Sequence, residues 1–457
     1  MNKPVEAILI GAGQRGAEAL GSYALLHPEQ LRFIAVAEPD AERRSSFAVQ
    51  HQITPENQFV SWEPLLASSR LGQAALICTQ DQIHTAPALA ALHAGYDVLL
   101  EKPMATSAAE CRQLAATAAE LGRQLHVCHV LRYTEHFQKM RTIVQSGQLG
   151  QVVDVAHREN VAYWHMAHSY VRGNWADSQS SCPMILAKCC HDFDILLWVL
   201  GSHCVRLSSA GSLIHFRPEN HPPGAPDRCT NGCPVAETCP YNAEFIYGSL
   251  IPLWRSVAGT ASGFPRAAAQ TQLRWPRLVK ALAMVLPILR KMTEHRGWPR
   301  SVVARSGEPE EILAALRSGP YGRCVYRCNN DAVDHQVVMM EFAGGESVSL
   351  TMHGHSSIEY RTTRIEGTLA SLYAQFGVGG AWIEVREHRS GRHERYNTFR
   401  FSGQGHGGGD YGLMAAFVDS IQTGSRGLTT AQEALESHLL AFAAEQARLD
   451  ARVVEIG

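Results

Sequence analysis

The chain has 457 residues, too many for one ordinary core, so two domains are the natural expectation. Hydrophobic residues make up 45% and charged residues 18%, a globular composition that excludes wholesale disorder. A formal net charge of −2 offers nucleic acid no global attraction, and no apolar run reaches the roughly 18 residues of a membrane span.

The N-terminal Met1-Asn2-Lys3-Pro4 runs into strand-like sequence without a basic n-region or an apolar h-region, which predicts a cytoplasmic protein. In that compartment the twelve cysteines are expected to be reduced. Cys78, Cys111 and Cys128 read as buried small hydrophobes.

Residues 5–10 form a short apolar run that ends at Gly11-Ala12-Gly13-Gln14-Arg15-Gly16, and a helical pattern follows, with Ala17, Leu20, Tyr23 and Leu26 on one side. Strand, GxGxxG and helix in succession are the fingerprint of a dinucleotide site. Gly11 permits the tight turn, Gly13 lets the backbone approach a pyrophosphate, and Gly16 lets helix and strand pack closely. The helix N-terminus adds unpaired N–H groups and a positive dipole end. The second strand, residues 33–37, ends at Glu38, about twenty residues further on, where a carboxylate accepts from ribose hydroxyls and repels a 2′-phosphate. NAD is therefore expected over NADP, with Arg43 and Arg44 the only nearby groups that would favour a phosphate. Strands at 74–79, 97–100 and 124–130, alternating with helices at 85–94 and 108–121, complete a doubly wound parallel sheet. Glu101-Lys102-Pro103-Met104-Ala105 closes one of these strands, so Lys102 stands at the ligand edge.

The glycine segment 11–16, the run Glu101-Lys102-Pro103-Met104 and the helix-like Ala187-Lys188-Cys189-Cys190-His191-Asp192-Phe193-Asp194 make the chain resemble one family. It is the family of glucose–fructose oxidoreductase, inositol dehydrogenase and MocA. The resemblance covers the Rossmann half clearly and the second half in part. It implies a C-terminal α/β domain with a large, open, mostly antiparallel sheet, and a substrate site between that sheet and the nicotinamide. It also implies a homo-oligomer, a dimer or tetramer, formed on the sheet's outer face. By the resemblance, Glu101 and Lys102 border the cofactor and Lys102 reaches the substrate hydroxyl. His191 corresponds to the acid/base histidine, and Asp194 falls on the acid three residues later. The family often carries an aspartate four residues before that histidine, where this chain has Ala187; Lys188 and Asp192 are the candidates to take over its polar duties. On chemistry alone, His191 suits proton transfer because its ordinary pKa lies near neutrality. Lys188 and Asp192, four apart, equally fit a plain helix-surface ion pair.

Residues 152–157 read as the first strand of the second sheet. Residues 163–175 then interleave aromatics with histidines and an arginine, a composition that suits a sugar, and His168, Tyr170 and Arg172 are the candidate ligands. A partly buried aromatic loop joining the domains would read the same way. The glycine-rich segment 402–410 offers His406 to the substrate and Asp410 as the N-cap of a helix at 411–421. A last helix at 430–448 is expected to return to the first domain. The domains are thus read as 1–131 and 132–457, with an insertion at about 217–326.

Within that insertion, Cys229, Cys233, Cys239 and Cys324, with Cys328 nearby, supply the four thiolates of a structural zinc site. An iron–sulfur cluster or free thiols are the alternatives. Residues 266–300 hold eight lysines and arginines against the single Glu294. Leu278, Leu282, Val285, Leu286 and Leu289 recur there at helical spacing, with Pro287 to kink the helix. Such a stripe touches a membrane surface or covers a groove or another subunit, and the latter is expected.

Together these readings predict an NAD-dependent oxidoreductase. It would transfer a hydride between nicotinamide and a secondary hydroxyl of a sugar, cyclitol or sugar derivative. The same residues would serve an NAD-dependent glycoside hydrolase working by transient oxidation, elimination and re-reduction. A non-catalytic dinucleotide sensor is the third reading.

Overall fold

A computed structural model describes residues 3–261, 263–284, 295–378, 380–399 and 405–456. Two sheets organise them. The first contains β1 (Val5–Ile10), β2 (Leu31–Ala37), β3 (Gln58–Phe59), β4 (Ala74–Ile77), β5 (Asp97–Leu100) and β6 (Leu125–Val127), all parallel, in the order β3-β2-β1-β4-β5-β6. Helices α1 (Gly21–Leu26), α2 (Ala41–His51), α3 (Trp62–Ala67), α4 (Thr85–His93) and α5 (Ala108–Glu120) accompany it. Every side chain of β4 is buried, as a parallel strand covered on both faces requires. Strand order reverses between β1 and β4, so a crevice opens beyond their C-terminal ends. The glycine loop and Lys102 both lie at that rim, and the expected doubly wound sheet is present.

The second sheet has nine strands: β7 (Val152–Ala162), β8 (Cys204–Ser212), β9 (His335–Phe342), β10 (Ser347–Ser356), β11 (Tyr360–Gly367), β12 (Ala370–Gly377), β13 (Gly380–Glu387), β14 (His393–Asn397) and β15 (Val454–Glu455). Only β7 and β10 pair in parallel; the rest is antiparallel. Alternation along β10 buries Val348, Leu350 and Met352 against the core. On the opposite face Met339, Ser349, Ala156, Arg364 and Tyr373 line up as register partners across five strands.

The inner face is covered by α6 (Glu135–Gln145) over β13, α8 (Met184–Leu200) over β7 and β10, and the C-terminal helix over β8. Short α7 (Tyr163–His165) runs straight into a turn of π-type helix at Met166–Val171. Helix α8 ends at Gly201, whose left-handed φ of 64° needs no Cβ. Nearly all of α8 is buried, so each charged residue it carries must find a partner inside the protein.

Between β8 and β9 the chain makes a long excursion that includes α9 (Ile251–Thr260), α10 (Gly263–Arg274), α11 (Pro276–Ala283), α12 (Arg300–Val303) and α13 (Pro309–Ser318). The predicted stripe positions Val285, Leu286, Pro287 and Leu289 lie outside the described residues. Two helices close the fold, α14 (Gly409–Thr423) and α15 (Ala431–Asp450), the latter packed on both α5 and α8. The N-cap of α14 is Gly408, with φ 91°; Asp410 sits in the first turn instead, where its carboxylate meets a guanidinium. Among the described residues no helix is long and apolar enough to cross a membrane.

Candidate active site

Gly11 leaves β1 with φ +94°, and a Cβ there would stand 2.6 Å from the Cys78 carbonyl oxygen. Around Gly13, by contrast, nothing lies within 4 Å of where a Cβ would stand. That open stretch of backbone, at a helix N-terminus, has the form a pyrophosphate needs, so the residues fit a dinucleotide. Gln14 opens the helix and is exposed. Arg15 donates from Nε to Glu101 Oε1 (2.6 Å) and from Nη2 to Asp410 Oδ1 (2.7 Å), while Glu101 Oε2 accepts the Lys102 N–H at 3.1 Å. These bonds tie the glycine loop to the end of β5 and to α14.

At the tip of β2 the buried Glu38 accepts the Ala12 N–H on Oε2 (2.8 Å) and the Asp40 N–H on Oε1 (3.0 Å). A carboxylate has about four acceptor sites, so two remain for ribose hydroxyls. Arg44 donates to the Glu38 carbonyl, which commits its guanidinium to the main chain. Glu38→Ala is expected to raise the KM for NAD about tenfold and to narrow the preference over NADP. Steady-state kinetics with both cofactors checks this, and an unchanged ratio would remove Glu38 from the ribose.

Lys102 is partly buried and donates from Nζ to the carbonyl oxygen of Ala187 at 2.9 Å; the Lys102–Pro103 peptide is cis. One turn further along α8, His191 places Nδ1 3.4 Å from Nδ1 of His129. Burial pushes the His129 pKa well below its ordinary value, and the charges of Arg132 and Lys102 add to this, so the ring is neutral. Its Nε2 is 3.5 Å from Ser437 Oγ on α15. Asp194, from the same helix, takes a two-pronged bond from Arg132, at 2.8 and 2.6 Å.

Lys188 and Asp192 enter a second, almost dry network. The Lys188 ammonium lies 2.7 Å from Glu359 and 3.2 Å from Glu159. Arg361 donates to Asp192 Oδ1 at 2.7 Å and pairs with Glu159 at 2.8 Å, and His157 Nε2 lies 2.9 Å from Asp192. Burial raises the pKa of Glu159 against the pull of Arg361 and Lys188. For Asp192 and Glu359 burial is outweighed: Arg361 and His157 hold the first below the usual carboxylate range, and His165 and Lys188 hold the second. His165 Nδ1 lies 3.0 Å from both Glu359 oxygens; burial lowers its pKa, Glu359 opposes, and the charges of Lys188 and Lys102 lower it further.

Residues 5–129 match the oxidoreductase family with an NAD-binding Rossmann fold, and residues 141–249 match that family's C-terminal alpha/beta domain. The chain belongs to the Gfo/Idh/MocA oxidoreductase family. It is 27% identical over 225 residues to inositol 2-dehydrogenase of Streptomyces avermitilis, covering 49% of this chain and 60% of that protein. It is 29% identical over 166 residues to trans-1,2-dihydrobenzene-1,2-diol dehydrogenase of Bos taurus, covering 36% and 49%. The chain thus spans about half the length of these relatives. The structure of an oxidoreductase from Agrobacterium radiobacter, solved with NAD+, L-tartaric acid and magnesium, shares the fold. It superposes over 99% of this chain and 98% of its own, with a TM-score of 0.65 at 13% identity.

Not every candidate residue of this family member faces the crevice. His168 is buried, with Nδ1 3.0 Å from the Tyr247 hydroxyl and its ring stacked on Tyr321; burial brings its pKa down to about 3. Tyr170 is buried as well. Arg172 donates to the carbonyl oxygens of Arg323 (2.8 Å) and Tyr241 (2.7 Å), fastening the excursion. The alternative of an aromatic loop holding structure together describes these three better than a set of sugar ligands. The side chain of His406 lies outside the described residues.

The zinc reading is corrected. Among the described residues no group of three or more His, Cys, Asp or Glu is arranged to hold a metal ion. Cys229, Cys233, Cys239 and Cys324 do line one cavity, but Arg172 shares its wall, with Nη2 3.6 Å from Cys229 Sγ. A fixed cation there repels a second one, and burial raises the thiols of Cys239 and Cys324 away from the thiolate form that zinc requires.

Other residues of the site were not singled out by sequence: His129, Arg132, Glu159, His165, Glu359 and Arg361, together with Asp81, which accepts the Trp175 indole N–H at 2.7 Å. Only His165 had a signal, its place in the aromatic segment. The π-type turn that follows brings residues five apart together, and His165 faces Tyr170 across it.

Proposed function

We propose that the protein transfers a hydride between NAD and a secondary hydroxyl of a sugar, cyclitol or related polyol. The observation that carries this reading is the placement of Lys102 and His191. Lys102 follows β5, and its ammonium meets α8 at the Ala187 carbonyl, one helical turn before His191, at the rim where the glycine loop also opens. The names of relatives that oxidise inositol and a dihydrodiol support a cyclic polyol as substrate class.

When bound, NAD supplies the hydride acceptor. Lys102 keeps one N–H on the Ala187 carbonyl and has two more for the hydroxyl oxygen, favouring its alkoxide character. His191 takes the hydroxyl proton, and the neutral ring of His129 orients it. Lys188 and Asp192 act at one remove: their ion pairs with Glu359, Glu159 and Arg361 set the charge behind the site. The proposal retains a cytoplasmic protein of two domains divided near residue 131, and a homo-oligomer joined through the uncovered face of the second sheet.

The test supplies NAD across a panel of sugars, cyclitols and aryl glycosides, following NADH absorbance and aglycone release together. Steady NADH formation is the expected outcome. Aglycone release without NADH would replace the dehydrogenase with a redox-neutral glycosidase.

A further inference from the structure

From residue 245 to residue 293 the chain carries seven lysines and arginines and not one aspartate or glutamate, within a protein of net charge −2. The described part of this stretch also exposes large apolar side chains. Phe264 is 68% exposed, Trp275 50%, Leu278 50%, Leu282 43% and Met284 84%. On α11, Val279 and Ala283 turn inward, while Trp275, Leu278 and Leu282, at spacings of three and four, form an outward stripe. Arg277 and Lys280 follow on the adjoining arc, and Arg274, the last residue of α10, lays its guanidinium over the Trp275 ring at 4.8 Å. Among the described residues Arg266, Arg274, Arg277 and Lys280 make no ion pair with a carboxylate.

We propose that α10 and α11, rather than covering a groove or another subunit as expected from the sequence, form a docking surface for an anionic lipid membrane, with α11 lying in the headgroup plane. Charge complementarity selects an anionic partner, and the apolar stripe selects among anionic partners. A nucleic acid would be satisfied by the cations and offers exposed leucines nothing to enter. A headgroup layer above acyl chains accepts both, and tryptophan is favoured at that boundary. With no membrane-crossing helix among the described residues, the contact is peripheral. This inference does not depend on the reaction proposed above.

Co-sedimentation of the full chain with phosphatidylglycerol–phosphatidylcholine vesicles, against vesicles of phosphatidylcholine alone, tests it. The expected result is at least about tenfold more binding to the anionic vesicles, weakened by salt. The pair Leu278→Ser with Leu282→Ser, and separately Arg277→Glu with Lys280→Glu, should each lower binding about tenfold. All four positions are exposed, and unchanged circular dichroism shows that the variants are folded. Equal binding to both vesicle types, or none, overturns the proposal. So does a concentration-dependent dimer that the leucine pair dissociates while vesicle binding stays at background, which would assign the face to a second copy. Retention on RNA that is indifferent to the leucine pair, without vesicle binding, overturns it as well.

Discussion

Replacing Lys102 by alanine is expected to lower kcat/KM by about a thousandfold while leaving NAD affinity within about threefold of the parent. The asymmetry follows from the geometry. On the proposed reading the pyrophosphate would meet main chain around Gly11 and Gly13, and the ribose would meet Glu38, which is held by the N–H groups of Ala12 and Asp40. None of these depends on the lysine. The ammonium itself is anchored by the Ala187 carbonyl, and among the described residues no carboxylate is bonded to it, so on the proposed reading its charge is available to the oxygen that becomes negative. Lys102→Met separates charge from packing, since it keeps the length of the side chain and should be as inactive as alanine. Cofactor titration by fluorescence and turnover of the substrate found in the panel provide the two readings. A Lys102→Met protein with near-parent turnover would remove Lys102 from the chemistry.

Acid should weaken the fold unusually early, between pH 6.5 and 5. Burial brings the pKa of His136, His168 and His438 down to about 3, and that of His126 down to about 4. In the unfolded chain each ring protonates near its ordinary value of about 6.5. Above that pH neither state holds the proton, and the rings add no pH dependence. Below it the unfolded chain binds protons that the fold refuses, which costs about 1.4 kcal/mol per ring per pH unit until the folded pKa is reached. Four rings at pH 5 amount to about 8 kcal/mol, comparable with the whole stability of an ordinary domain. The carboxylates held low by their partners, Asp192 and Glu359, act in the same direction but at lower pH. Their stabilisation is complete above their unfolded pKa near 4 and is lost at more acid pH, so they leave this window to the histidines. Melting temperature measured at half-unit steps should fall steeply from pH 6.5 downward. His136, bonded through Nδ1 to Thr398 Oγ1 at 2.7 Å, offers a check: His136→Gln should remove about a quarter of the slope. A flat profile down to pH 5 would show that these rings protonate in place.

Five of the six strands of the first sheet were legible, with either bound off by up to three residues, because a buried parallel strand, a glycine turn and a helix each leave a local signature, whereas the two-residue β3 leaves none. Predicted strands at 5–10 and 97–100 have the observed bounds, and the predicted helix at 108–121 overruns the observed one by a single residue. The resemblance named Lys102, His191 and Asp194 as site residues. What it could not convey was the use made of them. Asp194 is spent on Arg132, sixty-two positions away in sequence, and Lys188 is spent on Glu359, at a separation of 171. Pairings of that range arise from tertiary packing: α8 lies against the turn after β6 and against the second sheet, where β11 beside β7 brings Arg361 opposite Glu159. No local pattern announces them. The cysteines illustrate the converse: their spacing had suggested a shared centre, and a shared cavity exists, but the guanidinium that occupies its wall comes from a residue assigned to the substrate.

The excursion between β8 and β9 begins and ends on neighbours, since Ser212 and His335 are register partners in the sheet. Its two ends are therefore about 4.8 Å apart however much chain is carried between them. The entropy lost in closing such a loop grows only with the logarithm of its length, about 0.6 kcal/mol for each doubling. The sheet thus sets almost no limit on the length of chain carried at this point. What constrains the excursion is side-chain contact instead: Arg172 and His168 reach into it, so the segment between α7 and α8 and the appended helices must change in step, while length alone is free to vary.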